Sequence, residues 1–256
     1  MQLSRRFGNP GENDIARVRA ELRTAGANLT DLTDSNPTHH GLLDPAVLEA
    51  VARSAAKAAN YNPDPRGPLP AREALAARFG GKPDNYWLTA STSEAYSWLF
   101  TALTDPGDAI AVPAPGYPLL ESLAQLAQLG AKSHPIHYVH THGWVYDLAA
   151  FQALLSPGKP GELPKQTPRA CVIVNPGNPT GAYVPQSALD DIVATCARVH
   201  AALIADEVFG PFALAKEAYT TFAGEDRTLT FTLDGLSKLL CAPQLKLGWI
   251  RVSGPA

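Results

Sequence analysis

Several fates are excluded by what the chain has little of. Three cysteines in 256 residues, Cys171, Cys196 and Cys241, are too few and too scattered for a disulfide framework or a zinc ribbon, so reduced, mostly buried thiols are expected. No stretch approaches the roughly 18 consecutive apolar residues of a membrane span. Arg5 and Arg6 near the start have no apolar segment behind them to make a signal sequence, and a cytoplasmic protein is expected. A net charge of −3 gives no electrostatic footprint for nucleic acid, which leaves small molecules as the expected ligands. Neither a Walker-type phosphate loop nor a Gly-x-Gly-x-x-Gly fingerprint is present, and nucleotide binding loses its usual support. The one histidine cluster, His134, His137, His140 and His142, has no Cys, Asp or Glu among its members at ligand spacing. Strand alternation puts His137 opposite the other three, so a polar strand end with solvated imidazoles is expected and no metal. Trp87, Trp98, Trp144 and Trp249 are expected to serve core packing.

What is present reads as one main domain with appendages, at 45% hydrophobic and 18% charged residues. The 23 prolines gather in loops such as 62–68 and 156–161. Apolar runs predict strands over 86–90, 109–113, 133–139, 170–175, 202–206, 228–232 and 247–252, several nearly continuous and therefore covered on both faces. Helix patterns lie between many of them: Asp44-Pro45 opens one, Pro118 starts another that Gly130 stops, and 185–199 forms a third. The alternation predicts an α/β fold of three layers around a mostly parallel seven-stranded sheet, with ligands beyond the carboxyl ends of the strands. Ahead of the sheet, residues 14–26 place Ile15, Val18 and Leu22 at helical spacing, followed by an extended stretch over 29–37. Residues 1–43 are thus expected to form an N-terminal arm and 44–256 the main domain.

Four segments carry chemistry. In Asp234-Gly-Leu-Ser237-Lys238, between the last two predicted strands, the lysine follows a serine, precedes a second cation at Lys246 and leads into an apolar strand. A lysine that forms a Schiff base must be held on rigid elements, and a nearby second cation and phosphate ester suit it. Taken alone it would be a solvated loop charge. Asn175-Pro-Gly-Asn178-Pro-Thr-Gly181 reads blandly as a turn, and Ala205-Asp206-Glu207-Val208-Phe209 as a strand ending in a cap. Read functionally, a buried aspartate pairs with a protonated pyridine nitrogen, and an asparagine amide donates to a ring oxygen. Ser91 and Glu94, in Leu88-Thr-Ala-Ser91-Thr92-Ser93-Glu94, match a capping box, and the helix start they define is also a ready anion site.

These segments, in this order, together with the weaker Pro113-Ala-Pro-Gly-Tyr117, resemble the class I/II aminotransferases, enzymes of fold type I that depend on pyridoxal 5′-phosphate (PLP). The likeness runs from about residue 30 to 250. It implies that the main domain is the PLP-binding large domain and that the arm belongs to an incomplete small domain. It further implies that Lys238 carries the cofactor as an aldimine, Asp206 pairs with the pyridine nitrogen, Asn178 bonds the ring oxygen and Tyr117 stacks on the ring. Ser91, Thr92, Ser93, Ser237 and Lys246 would surround the phosphate, Tyr61 would reach the phosphate of a neighbouring subunit in a homodimer, and Ser35 and Asn36 would touch substrate. The reaction implied moves an amino group between an amino acid and a 2-oxo acid. A PLP-dependent lyase or decarboxylase on the same scaffold, or a non-catalytic PLP-binding fragment, are the alternatives.

The chain departs from the family pattern in three places. Phe209 stands where a tyrosine usually donates to the ring oxygen, and Lys246 where an arginine usually grips the phosphate with a bidentate fork. The chain also stops at Ala256, just past the last predicted strand. The remainder of the small domain and its carboxylate-clamping arginine are therefore expected to be missing, leaving Ile15, Val18 and Leu22 exposed.

Overall fold

The computed structural model describes residues 4, 6, 13–31, 34–156, 166–212 and 220–255. Arg5, Leu32 and Thr33 of the extended stretch, and the proline-rich segment beyond Ser156 lie outside them. The described chain forms one sheet of eight strands: β1 (Tyr86–Thr89), β2 (Ala109–Ala114), β3 (Gly130–Val139), β4 (Gly143–Tyr146), β5 (Ala170–Val174), β6 (Ala202–Asp206), β7 (Thr230–Gly235) and β8 (Gly248–Ser253). Their order is β1-β8-β7-β6-β5-β2-β3-β4. The five central strands run parallel, and β8 is antiparallel to both β7 and β1.

The expected sheet gains one strand at its edge, where β4 turns back antiparallel on β3. This ribbon is marked by the edge-on contact of Tyr138 and Trp144, with ring centroids 5.5 Å apart. β7 sits two residues later than the apolar pattern indicates, because its pairing with β8 fixes Gly235 opposite Gly248.

Among the described residues eight α-helices flank or precede the sheet: α1 (Asp14–Thr24), α2 (Pro45–Ser54), α3 (Leu69–Phe79), α4 (Thr92–Leu103), α5 (Leu119–Leu126), α6 (Leu148–Leu155), α7 (Gln186–Val199) and the single turn α8 (Leu236–Leu239). The strand alternation of period two sorts the core into two layers. Ile110, Val112, Val172, Val174 and Ile204 face Tyr96, Leu99 and Phe100 of α4. Ala111, Cys171, Ile173, Leu203 and Ala205 face Phe151 of α6 and Ile192 and Val193 of α7. Every residue of β5 and β6 is buried, which is why these strands read as unbroken apolar runs.

Burial corrects two sequence expectations. His134 is 1% exposed, its Nε2 2.9 Å from Val172 O and its ring edge-on to Phe151. Burial pushes this imidazole down to about 4, so it is a neutral core residue and not a solvated one. His137, by contrast, stays at the surface and pairs with Asp147 at 3.2 Å. Of the four tryptophans only Trp249 is buried, whereas Trp87, Trp98 and Trp144 are each more than a third exposed. Cys171 and Cys196 are buried free thiols and Cys241 is half-buried. α1 buries none of its residues, and Ile15, Val18 and Leu22 are exposed.

Candidate active site

The carboxyl ends of β1, β2, β5, β6 and β7 meet at one cleft of about 390 Å³. Each strand end delivers a different chemical group because each is followed at once by a turn or a helix start.

Past β1, Ser91 caps α4: its Oγ accepts from Glu94 N at 3.2 Å. The Glu94 carboxylate reaches back to Ala90 N at 2.6 Å, one residue beyond the position a standard capping box uses. Thr92 and Ser93 occupy the first turn, where backbone N–H groups have no partner within the helix and the dipole favours an anion. Past β2, a Cβ on Gly116 would lie 2.2 Å from Pro113 O, so only glycine permits the turn that brings Tyr117 to the cleft. Past β5, Asn175 is fully buried and holds the loop shut, donating to Thr220 O at 2.8 Å and accepting from Val184 N at 3.0 Å. This leaves Asn178 to line the cleft.

β7 runs directly into α8, which carries Ser237 and Lys238. The loop that follows contains two non-glycine residues in the left-handed region, Cys241 at φ 53° and Lys246 at φ 51°. Such conformations cost about 1–2 kcal/mol each and recur at functional sites. Lys246 ends the loop with its side chain on the same cleft as Lys238. Lys238 Nζ lies 5.6 Å from the ring centroid of Phe209, so the side chain that replaces the expected tyrosine meets the lysine as an aromatic face.

Asp206 closes the floor. It is 5% exposed, and its two oxygens accept from Tyr96 Oη at 2.9 Å and from Val208 N at 3.2 Å. Burial raises this carboxyl to about 6, against the lowering effect of both hydrogen bonds. No basic side chain pairs with it among the described residues. Tyr96 is itself fully buried, and burial together with the Asp206 charge holds its phenol well above the ordinary range, so it remains a donor.

Ser35, Ser91, Thr92, Ser93, Tyr117, Asn178, Asp206, Ser237, Lys238 and Lys246 thus share one cleft. Asn36 does not line it; it caps the turn after it, accepting from Thr38 N at 3.0 Å. Tyr61 is 90% exposed and lies outside the cleft. Arg66, the one arginine in the Tyr61 segment, is engaged with Asp84 at 3.2 Å and stacked on Trp87. Tyr96 is the residue that sequence reasoning passed over. It stands four positions beyond Thr92 on the inward face of α4, and a phenol on an apolar face must find an acceptor.

The donor set suits a phosphorylated, protonated heteroaromatic aldehyde. A helix start with hydroxyls and a second cation match the phosphate, an amine matches the carbonyl, and a buried carboxylate with no cationic partner matches a pyridinium. Among the described residues no group of three His, Cys, Asp or Glu is placed to hold a metal ion.

The fold is that of the aminotransferases. An aminotransferase crystal structure from Escherichia coli superposes with a TM-score of 0.84 at 25% identity, covering 100% of this chain and 63% of that one. A single mutant of Thermus thermophilus aspartate aminotransferase gives 0.83 at 25% identity, covering 99% and 65%. The family model for aminotransferase class I and II matches residues 27–255, and the chain belongs to that PLP-dependent family. Alanine aminotransferase from Mycobacterium tuberculosis is 28% identical over 96% of this chain and 56% of its own length. Glutamate-pyruvate aminotransferase AlaA from Escherichia coli is 28% identical over 94% and 58%. The chain therefore spans little more than half the length of these relatives.

Proposed function

We propose that this chain supplies the PLP-binding large domain of an aminotransferase that exchanges an amino group between an amino acid and a 2-oxo acid. Residues 1–43 serve as the arm toward a small domain. The observation that carries this reading is the convergence of Lys238, Asp206 and the Ser91–Ser93 helix start on one cleft from three separate strand ends. When bound, the cofactor supplies an electron-withdrawing ring. Lys238 Nζ would anchor the cofactor covalently and, as a free amine, would take up the proton lost from the substrate carbon. Asp206 would hold the proton on the ring nitrogen, Asn178 would donate to the ring oxygen, and Tyr117 would cover the ring face. Ser91, Thr92, Ser93, Ser237 and Lys246 hold the phosphate, and Ser35 approaches the substrate.

The names of the relatives support an amino acid and a 2-oxo acid as substrates. The 90% exposure of Tyr61, which does not line the cleft, supports a homodimer in which it reaches the partner's phosphate. No helix among the described residues is long and apolar enough to cross a membrane, and a cytoplasmic location is part of the proposal.

The test is chemical. The chain loaded with PLP should absorb in the visible, lose that band on borohydride reduction, and carry a phosphopyridoxyl group on the peptide containing Lys238. Label found instead on Lys246, or on Lys216 outside the described residues, would overturn the assignment.

A further inference from the structure

Helix α4 reaches both poles of the cleft. Its first turn presents Thr92 and Ser93 at the anion end. One turn on, about 6 Å along the axis, Tyr96 reaches Asp206 from beneath. Tyr96 is fully buried, and its ring stands 5.8 Å from Phe100 within the apolar layer. A buried phenol has to donate to something, and core packing alone would be satisfied by a backbone carbonyl. Here the acceptor is the one carboxylate on the floor of the cleft, and the bond spans 110 residues of sequence. Hydrogen bonds to an ionised group are about twice as strong as neutral ones, and a carboxylate buried without a cation depends on them.

We propose that Tyr96 is a positioning residue for the ring-binding function of Asp206: its phenol fixes the carboxylate in orientation and keeps it charged, so that it can hold a proton on a heteroaromatic nitrogen. This rests on the reading of Asp206 as the partner of that nitrogen. The titratable groups around the pair are Tyr117, Tyr146, Lys238 and, across β7, Asp234. Of these, Asp234 feels Asp206 as a like charge through the sheet.

The experiment uses the chain itself. Without cofactor, the Asp206 carboxyl carbon is followed by carbon-13 NMR against pH, with Asp206→Asn to assign the signal. The wild type should titrate near 6, and the Cζ signal of Tyr96 should move at the same midpoint. In Tyr96→Phe the proton affinity of Asp206 should rise at least about tenfold, the loss of one hydrogen bond to a charge. With cofactor labelled by nitrogen-15 in the ring, the ring-nitrogen signal should shift toward the unprotonated position in Tyr96→Phe, and further in Asp206→Ala. If Asp206→Ala moves that signal and Tyr96→Phe does not, the role of Tyr96 is refuted while that of Asp206 stands. If Asp206→Ala leaves it in place, the reading of Asp206 fails and takes the proposal with it. Should Tyr96→Phe not fold, the wild-type Tyr96 signal decides, since a phenol that ignores the titration of Asp206 cannot be holding it.

Discussion

Asp234→Asn should stabilise the cofactor-free chain at alkaline pH and leave it almost unchanged in acid. Asp234 is 9% exposed on β7, where one oxygen accepts from Gly235 N at 2.6 Å. It lines a second cavity, of about 350 Å³, on the sheet face away from α4, together with Thr232, Glu207 and Trp249. Thr232 Oγ1, in the same wall, has no hydrogen-bond partner among the described residues. Burial, and then the like charges of Asp206 and Glu207, push the carboxyl from the ordinary 3.8 up to about 7. A group that binds its proton more tightly when folded contributes stability that is complete below 3.8 and is lost as pH rises through 7. The loss is on the order of 4 kcal/mol if the full displacement is realised, and about 2–4 kcal/mol once water entering the cavity is allowed for. Asparagine keeps the acceptor for Gly235 N and removes the charge. Urea unfolding at pH 4 and pH 8 should therefore show the variant gaining about 2–4 kcal/mol at the higher pH and close to nothing at the lower. An equal effect at both pH values, or none, would refute the account of Asp234 as a strained buried charge.

Three other outcomes follow from the site. Asp206→Ala should weaken cofactor binding by about 3–5 kcal/mol, the scale of a buried charge partner removed, which a fluorescence titration with PLP measures; unchanged affinity would take Asp206 out of the ring's environment. Phe209→Tyr adds a donor on the ring that faces Lys238 at 5.6 Å, and the pH midpoint of the visible band of the loaded chain should fall, because a new hydrogen bond favours the phenolate form. Ser91→Ala removes the cap of α4 and should cost about 1 kcal/mol in unfolding stability. It should also lower phosphate affinity in an inorganic phosphate competition assay.

How much of this was legible depends on where each piece of information resides. β5 and β6 are readable from local sequence because both faces of each are buried and every position is apolar until Asp206. The same holds for the Ser91 cap, since a helix start is written in adjacent residues. The position of β7 is not local: Thr228 falls in a bend before the strand, and the pairing with β6 and β8, which sets Thr230 opposite Leu203 and Gly235 opposite Gly248, fixes where it begins and ends. Four-residue β4 escapes for a related reason, being too short to show alternation before it folds onto β3. His134 and the exposed tryptophans turn on which helix covers which strand, and α6 decides the matter for His134 by laying Phe151 against it.

The site divides in the same way. Lys238, Asp206 and Asn178 belong to short ordered motifs, whereas the separation of Ser35, which lines the cleft, from Asn36, which caps a turn, depends on one rotation of the backbone. Tyr96 is the instructive case. A phenol on the apolar face of a helix and a carboxylate at the end of an apolar strand are each unfavourable when considered alone, since each buries a polar group without water. The helix period places the phenol inward and the strand period places Asp206 on the same face as Val174 and Ile204. Two groups that must each find a partner, pointed by their own elements into one layer, therefore specify a contact between residues 110 positions apart, and that contact ties the helix start of α4 to the floor of the cleft.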